Sequence, residues 1–382
     1  MCLCATSRRA ARRVRYVCGR SQTCCHGIRI RIRVYLRLGQ HVYIQTGFQS
    51  SCLLAWTMYM ISPCEIVHNF REHRESVRML RRLGTRRLTS AAGAPVPLTY
   101  FSAWFCPFAH RATLALEHHS GAVPYKWQES LGWEAGKAPT GRENFEAGER
   151  ADWYYHWKSP ELLAANPLGM VPTLLDPSSG NVVVESQVAI EFIDELAAAN
   201  GSSASPLLPP DLYERARARV AADRVNKTVC SAYYRVLVRT DHGERLQAFS
   251  DLLEGLRDFT RGLRGHYYSG DDGLGLVDCV LLPYAYRLYV LAHYRGPEFE
   301  VPGSGEDGLW DAYQGWLSRC LALPHVARTL PDKQRYLEHV KKYAEGKARS
   351  KVGNAVRSGR AAHEYDDVID GEEAPPGSAQ RT

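Results

Sequence analysis

The sequence predicts an α/β domain of roughly 100 residues joined to an all-α domain. Three observations carry that expectation. A strand-like run, VPLTYFSAWF, ends at Cys106-Pro107 and passes directly into helical spacing. A segment rich in Gly, Ser and Pro, ANGSSASPLLPPD, interrupts the chain at 199–211. Beyond it the apolar residues Leu246, Phe249, Leu252, Leu256, Phe259 and Leu263 step only by three and four. The expected divisions are an arginine- and cysteine-rich extension over 1–94, the α/β domain over 95–198, a linker over 199–210, the helical domain over 211–345 and a disordered tail over 346–382.

The individual elements carry their own signals. After the first strand, Pro107 suits a helix start because its missing N–H would have no partner there, and Phe108, Ala112, Ala115 and Leu116 form the buried stripe. VPYKWQES supplies a second strand. Residues 132–157 form an insertion ending in WYYHW, and a short helix at 160–165 leads to NPLGMVPTLLD, a turn and a short strand. NVVVES is a further strand, and SQVAIEFIDEL a helix with Val188, Ala189, Phe192, Ile193 and Leu196 on one face. The order is βαβ followed by ββα. In the second half, residues 275–293 are apolar on most sides, which predicts a central buried helix. Asp278, three residues after Gly275, is placed to cap it; Pro283 is expected to remove one of its hydrogen bonds.

The net charge of +7 hides an asymmetry. Residues 1–90 hold 17 arginines, no lysine and three acidic residues, so the remainder is net acidic and has no basic excess for phosphates. No nucleic-acid partner is expected. Seven of the 11 cysteines lie in that head, and the four in the body are too sparse for a disulfide framework. The longest strongly apolar run, near Cys52 to Ile61, falls well short of the roughly 20 residues of a membrane helix. These features predict a cytoplasmic protein, or a mitochondrial one if residues 1–90 act as a targeting segment. The β-branched stretch GIRIRIRVYLRL fits a transit peptide poorly.

Three constellations carry chemistry. Cys106 is open to readings as a nucleophile, half of a redox pair, a metal ligand or an inert buried thiol. At a helix start the free amides and helix dipole favour the thiolate, which predicts a lowered pKa. Ala109 stands where a C-x-x-C motif would place its second cysteine, so any redox work needs an external thiol. No ligand cluster of suitable spacing accompanies it, and no metal is expected. In GMVPT, a cis bond before Pro172 would turn the backbone polar groups of Val171 toward an extended peptide. Glu185 and Ser186, at the start of the third helix, suit the ammonium and carboxylate of an α-amino acid. In that order they describe a site for a small peptide with a thiol and a free amino-acid head.

FCPFAHR, NPLGMVPTLL and VVVESQVAIEFIDE, followed by a linker and a helical half, resemble the glutathione transferase family, most closely its omega class. The resemblance runs from about Pro97 to Tyr343. It implies a thioredoxin-like N-terminal domain, with glutathione as co-substrate. Cys106 matches the catalytic cysteine that forms a mixed disulfide with glutathione. Val171 and Pro172 match the pair that holds the cysteinyl backbone, and Glu185 and Ser186 the pair that holds the γ-glutamyl group. Lys158 matches, one residue displaced, a lysine that contacts the glycyl carboxylate. His110 stands where the omega class has glutamate or glutamine and is similar to the histidine of the CPWAHR motif of glutathionyl-hydroquinone reductases, which marks it as a determinant of substrate preference. Gly275 replaces the usual Ser or Thr of the capping box, with a small stability penalty expected.

The function expected is a glutathione-dependent thioltransferase or dehydroascorbate reductase, with a homodimer as a possible assembly. Tyr233 and Tyr234 are candidates for the second-substrate pocket. Tyr100 and Ser102 are weaker candidates for activating glutathione toward conjugation. The alternative is a non-catalytic interaction module on the same fold.

Overall fold

The computed structural model describes residues 29–36, 42–50, 53–61, 96–135 and 153–365. The chain divides into two units, Met1–Arg86 and Arg87–Thr382.

In the first unit, β1 (Arg29–Leu36), β2 (Val42–Ser50) and β3 (Leu53–Ile61) form an antiparallel sheet in that order. The expectation of a poorly structured extension does not hold for these stretches. RIRIRVYL alternates with period two, the strand repeat, and pairs from Arg29↔Gln49 to Leu36↔Val42. The rest of residues 1–90, with any targeting role, lies outside the described residues.

The second unit contains a four-stranded sheet built from β4 (Leu98–Ser102), β5 (Tyr125–Glu129), β8 (Thr173–Leu175) and β9 (Val182–Val184), in the order β5-β4-β8-β9. β4 and β5 run parallel, joined across helix α1 (Pro107–His118); β8 pairs antiparallel to β4, and β9 pairs antiparallel to β8. This is the βαβ and ββα arrangement of the sequence reading. The ends of the 132–157 insertion fold as an antiparallel ribbon, β6 (Leu131–Ala135) against β7 (Tyr154–Lys158), while 136–152 lie outside the described residues. Helix α2 (Pro160–Ala165) is capped by the Ser159 side chain. Helix α3 (Ser186–Ala199) packs on α1. Its buried face is Ala189, Ile190, Ile193 and Ala197 rather than the predicted stripe, and Val188 is 53% exposed, because the helix is rotated by about one residue.

The linker is pinned, not loose. The Asp194 carboxylate accepts the N–H groups of Leu207 and Leu208 at 2.8 and 3.0 Å and contacts His119 at 2.8 Å. Helix α4 (Leu212–Val225), capped by Asp211, continues through a π turn into α5 (Ser231–Val238). α6 (His242–Arg261) buries Phe249, Leu252, Leu256 and Phe259 as its spacing demands. Every residue of α7 (Leu276–Ala285) is buried, with Pro283 inside it. Asp278 caps it, accepting from Gly275 N at 2.8 Å and from Trp316 Nε1 at 2.7 Å. Gly275 has a reason beyond capping: a Cβ there would stand 2.9 Å from Ser269 Oγ.

Helices α8 (Tyr289–Arg295), α9 (Leu309–Ala322), α10 (Pro324–Ala327) and α11 (Lys333–Ala344) complete the predicted half. The folded chain does not stop near 345. Tyr154 and Ala348 form a parallel bridge, and α12 (Lys351–Arg357), capped by Ser350, buries Val352, Ala355 and Val356 and packs on α5. The expected tail therefore contributes an ordered strap over 347–365, and only residues 366–382 of it lie outside the described residues.

Candidate active site

Cys106 is the N-cap of α1, with an extended backbone and Pro107 at the first helical position. The sheet edge delivers its neighbour. The Val171-Pro172 peptide is cis, as the GMVPT motif suggested, and Cys106 Sγ lies 4.0 Å from the Val171 carbonyl oxygen. Gly169, which leads into this turn, has φ +59, and a Cβ on it would collide with the Lys158 side chain. Lys158, at the end of β7, thus lies along the turn, its Nζ donating to Leu168 O at 3.2 Å. Register carries the next pair: Thr173 pairs with Val184, so Glu185 follows β9 alongside Pro172. Glu185 is exposed and holds φ 72, a left-handed conformation unusual for a side chain with a Cβ. Ser186, the first residue of α3, is buried and accepts from Arg111 Nη1 at 3.0 Å. Arg111 belongs to α1, so one guanidinium ties the Ser186 end of the site to the Cys106 helix.

An enclosed space of about 50 Å³ adjoins Cys106, with Val171, Tyr234, Tyr336 and Tyr343 in its walls. Cys106 and Val171 line it directly. Lys158, Glu185 and Ser186 do not: Lys158 lies against the 168–169 turn that precedes Val171, and Glu185 and Ser186 follow β9 alongside Pro172. Of the two tyrosines proposed for the second-substrate side, Tyr234 lines the space and Tyr233 is packed in the core. Tyr100 is fully buried, its hydroxyl donating to Ala109 O at 2.6 Å, and Ser102 is equally inaccessible, so neither reaches the cleft.

The Cys106 pKa departs from the sequence expectation. Burial pushes the thiol up, and the amides of Ala109 and Phe108 with the cations of Arg287 and Arg111 only partly offset it. His110 is also corrected. It does not face the cleft: it is 5% exposed, with Nδ1 accepting from Arg287 at 3.1 Å and Nε2 against Thr329 Oγ1 at 2.8 Å.

Several wall residues were missed. Tyr336, His339, Val340 and Tyr343 stand at i, i+3, i+4 and i+7 on α11, a stripe legible in KQRYLEHVKKYA. His339 stacks on Phe105 at 3.8 Å and accepts from Trp133 Nε1 at 2.9 Å. Burial drives its pKa down to about 2, which leaves the ring neutral. Ser350, Lys351, Val352 and Tyr365 close the space from the strap. Among the described residues no group of His, Cys, Asp and Glu has the arrangement of a metal site, and no helix is long and apolar enough to cross a membrane.

Residues 105–196 match the glutathione S-transferase N-terminal domain family. Over 187 residues the chain is 32% identical to a probable glutathione S-transferase, parC, of Nicotiana tabacum, covering 48% of this chain and 78% of that relative. The chain belongs to the glutathione S-transferase family. Its fold is that of glutathione transferase Omega 3C from Trametes versicolor, with TM-score 0.50 and 26% identity over 66% of this chain and 92% of that one. A Tau-class glutathione S-transferase of mango, Mangifera indica, shares the fold at TM-score 0.50 and 20% identity, over 65% of this chain and 99% of that one. The omega resemblance is therefore one of several: the curated relative above is a plant glutathione S-transferase, and the fold is shared with omega-class and Tau-class structures alike. The fold class of the sequence reading, a thioredoxin-like region followed by a helical one, is the one observed.

Proposed function

We propose that this glutathione transferase works as a cysteine-type thiol transferase or reductase. The observation that carries the reading is the position of Cys106: its sulfur opens the first helix, lines the cleft and faces the carbonyl of the residue before the cis-proline. Glutathione fits the surrounding groups. Val171 would pair with the cysteinyl backbone, Glu185 with the α-ammonium and Ser186 with the α-carboxylate, while the Lys158 ammonium lies at the turn where the glycyl end would come.

The chemistry is two thiol exchanges. The Cys106 thiolate attacks the glutathionyl sulfur of a mixed disulfide, forming Cys106–S–SG and releasing the partner thiolate. A glutathione thiolate then attacks the glutathionyl sulfur of that intermediate, releasing oxidised glutathione and the Cys106 thiolate. Ala109 leaves no internal thiol to compete, so the second step falls to free glutathione. Reduction of dehydroascorbate is a second use of the same thiolate. Against that burial, the amides of Ala109 and Phe108 and the cations of Arg287 and Arg111 favour the thiolate at Cys106. Conjugation through a hydroxyl is disfavoured by the inaccessible Tyr100 and Ser102.

The test is Cys106→Ser, assayed for glutathione-dependent reduction of a glutathionyl mixed disulfide beside retention on immobilised glutathione. The expected result is turnover lost with retention kept. Full turnover in the variant would refute the cysteine mechanism; loss of retention by the wild type would favour the non-catalytic module.

A further inference from the structure

Two fully buried arginines, Arg111 on the Cys106 helix and Arg287 packed against it, differ in their hydrogen bonding. Arg111 is satisfied: Nε donates to Val280 O, Nη1 to Ser186 Oγ, and Nη2 to Asn226 Oδ1 and Cys230 Sγ, at 2.9 to 3.2 Å. Arg287 is not. Its Nη1 donates to Pro283 O at 2.6 Å and to His110 Nδ1, but among the described residues Nε and Nη2 meet no acceptor in good hydrogen-bonding geometry, the Tyr336 hydroxyl being a looser contact. Its exposure is 0%, and among the described residues no carboxylate pairs with it. A buried cation with three of its five N–H donors idle and no counter-ion is expensive, a cost that an anion forming nearby would offset.

The surroundings say where that anion forms. The guanidinium lies over the Tyr336 ring, 4.7 Å from its centroid, and Tyr336 shares the cleft wall with Cys106. His110, which receives Arg287 Nη1, donates its own backbone N–H to the Cys106 carbonyl at 3.0 Å. Among the described residues, the tyrosines and histidines in or behind the cleft wall near the sulfur carry no negative charge. Tyr100, Tyr234, Tyr284, Tyr336 and Tyr343 are held protonated by burial. His110 and His339 are neutral for the same reason. Lys351 lines the cleft from the strap and is itself a cation.

We propose that Arg287 is a positioning residue for the reaction at Cys106, its unneutralised guanidinium supplying the counter-charge for the anionic sulfur through which each thiol exchange passes. This rests on the cysteine reading above. The sulfur becomes anionic at the start of each cycle and again when oxidised glutathione leaves. At both points the charge forms across Tyr336 and His110 from a cation already in place and already desolvated, which needs no reorganisation.

The experiment is alkylation of Cys106 by iodoacetamide in the full chain, followed by mass spectrometry of the peptide that contains it, from about pH 6 to about pH 10. Arg287→Met removes the charge, Arg287→Gln keeps a donor for Pro283 without the charge, and Arg287→Lys keeps the charge without the fork. The expected result is a midpoint raised by about one pH unit, a roughly tenfold slower reaction at fixed lower pH, in the Met and Gln variants, with the Lys variant near wild type. An unmoved midpoint in either neutral variant that keeps its melting transition overturns the proposal. If neither folds, the ratio of iodoacetate to iodoacetamide rates at Cys106 of the intact protein decides: above that of free cysteine it supports a cation at the sulfur, and at or below it the proposal fails. Turnover surviving Cys106→Ser would sink the exchange reading; an unmoved midpoint with that variant inactive would sink the role of Arg287 alone.

Discussion

Arg287 Nη1 lies 3.1 Å from His110 Nδ1. A guanidinium only donates, so Nδ1 accepts, and the imidazole proton sits on Nε2. Thr329 Oγ1 takes that proton's hydrogen bond and passes its own to Val326 O at 2.7 Å. The histidine of FCPFAHR is thus a neutral strut between the first helix and residues 287 and 329, with no wall of the cleft to its name.

His110→Gln should therefore act on stability rather than on choice of substrate. The loss expected is about 1–3 kcal/mol, the cost of disturbing two buried hydrogen bonds. Urea unfolding measures it, and kcat/KM for two dissimilar disulfide substrates should fall by the same factor. A changed ratio between them would restore His110 to substrate selection.

Two buried histidines and one buried carboxyl give opposite dependences on pH. The pKa of His339 is held down to about 2 and that of His110 well below its usual value, both first by burial. Unfolded histidine takes up a proton near pH 6.5 and the folded rings do not, so their stability is complete above about 6.5 and declines as pH falls, by at most about 1.4 kcal/mol per pH unit for each ring. Asp278 is raised to about 6 by burial, so its contribution is present below about 4 and lost as pH rises through about 6. Urea midpoints at pH 7.5 and about pH 5 should show His339→Phe flattening the acid decline, and Asp278→Asn steepening it.

Asp278 also bears a structural load. Asp278→Ala strips the acceptor from Gly275 N, Tyr268 N and Trp316 Nε1 together. A loss of roughly 3–5 kcal/mol is expected, with a melting transition that broadens or shifts down by many degrees. A shift within experimental error would mean that water replaces the carboxylate.

Gly169→Ala tests the place of Lys158. The new Cβ meets the lysine side chain, and φ +59 strains any residue but glycine. If Lys158 holds the glycyl carboxylate, KM for glutathione should rise severalfold with kcat changed less. A variant with unchanged KM would remove Lys158 from the binding site.

Deleting residues 347–382 should cost stability while opening the cleft, since Val352, Ala355, Val356 and Tyr365 are buried. The expected readouts are a lower melting temperature and faster reaction of Cys106 with a bulky maleimide. An unchanged melting temperature would return the segment to the status of a tail.

What the sequence made legible was local. The strand, Cys-Pro, helix order and the cis-proline turn announce themselves because proline and glycine act on their own backbone. The helix start at Glu185 and Ser186 was legible because a β-strand hands directly to a helix there. The strap was invisible for a different reason: HEYDD and its polar neighbours read as solvent-exposed, while the small residues Gly353, Ala355 and Ala362 that let it lie flat carry little hydrophobic signal. The destination of His110 was equally hidden, since Arg287 and Thr329 meet it only through the fold. The raised thiol pKa is a tertiary effect too: the helix start predicts one sign and burial supplies the other.

The bridge between Tyr154 and Ala348 has a consequence for synthesis. Cys106 leaves the ribosome early, while the residues that roof its cleft are near the end of the folded chain. Until they arrive, the groove beside the nascent thiol lacks that roof. Any restriction the strap places on access to Cys106 is thus set only after the rest of the cleft wall has been made.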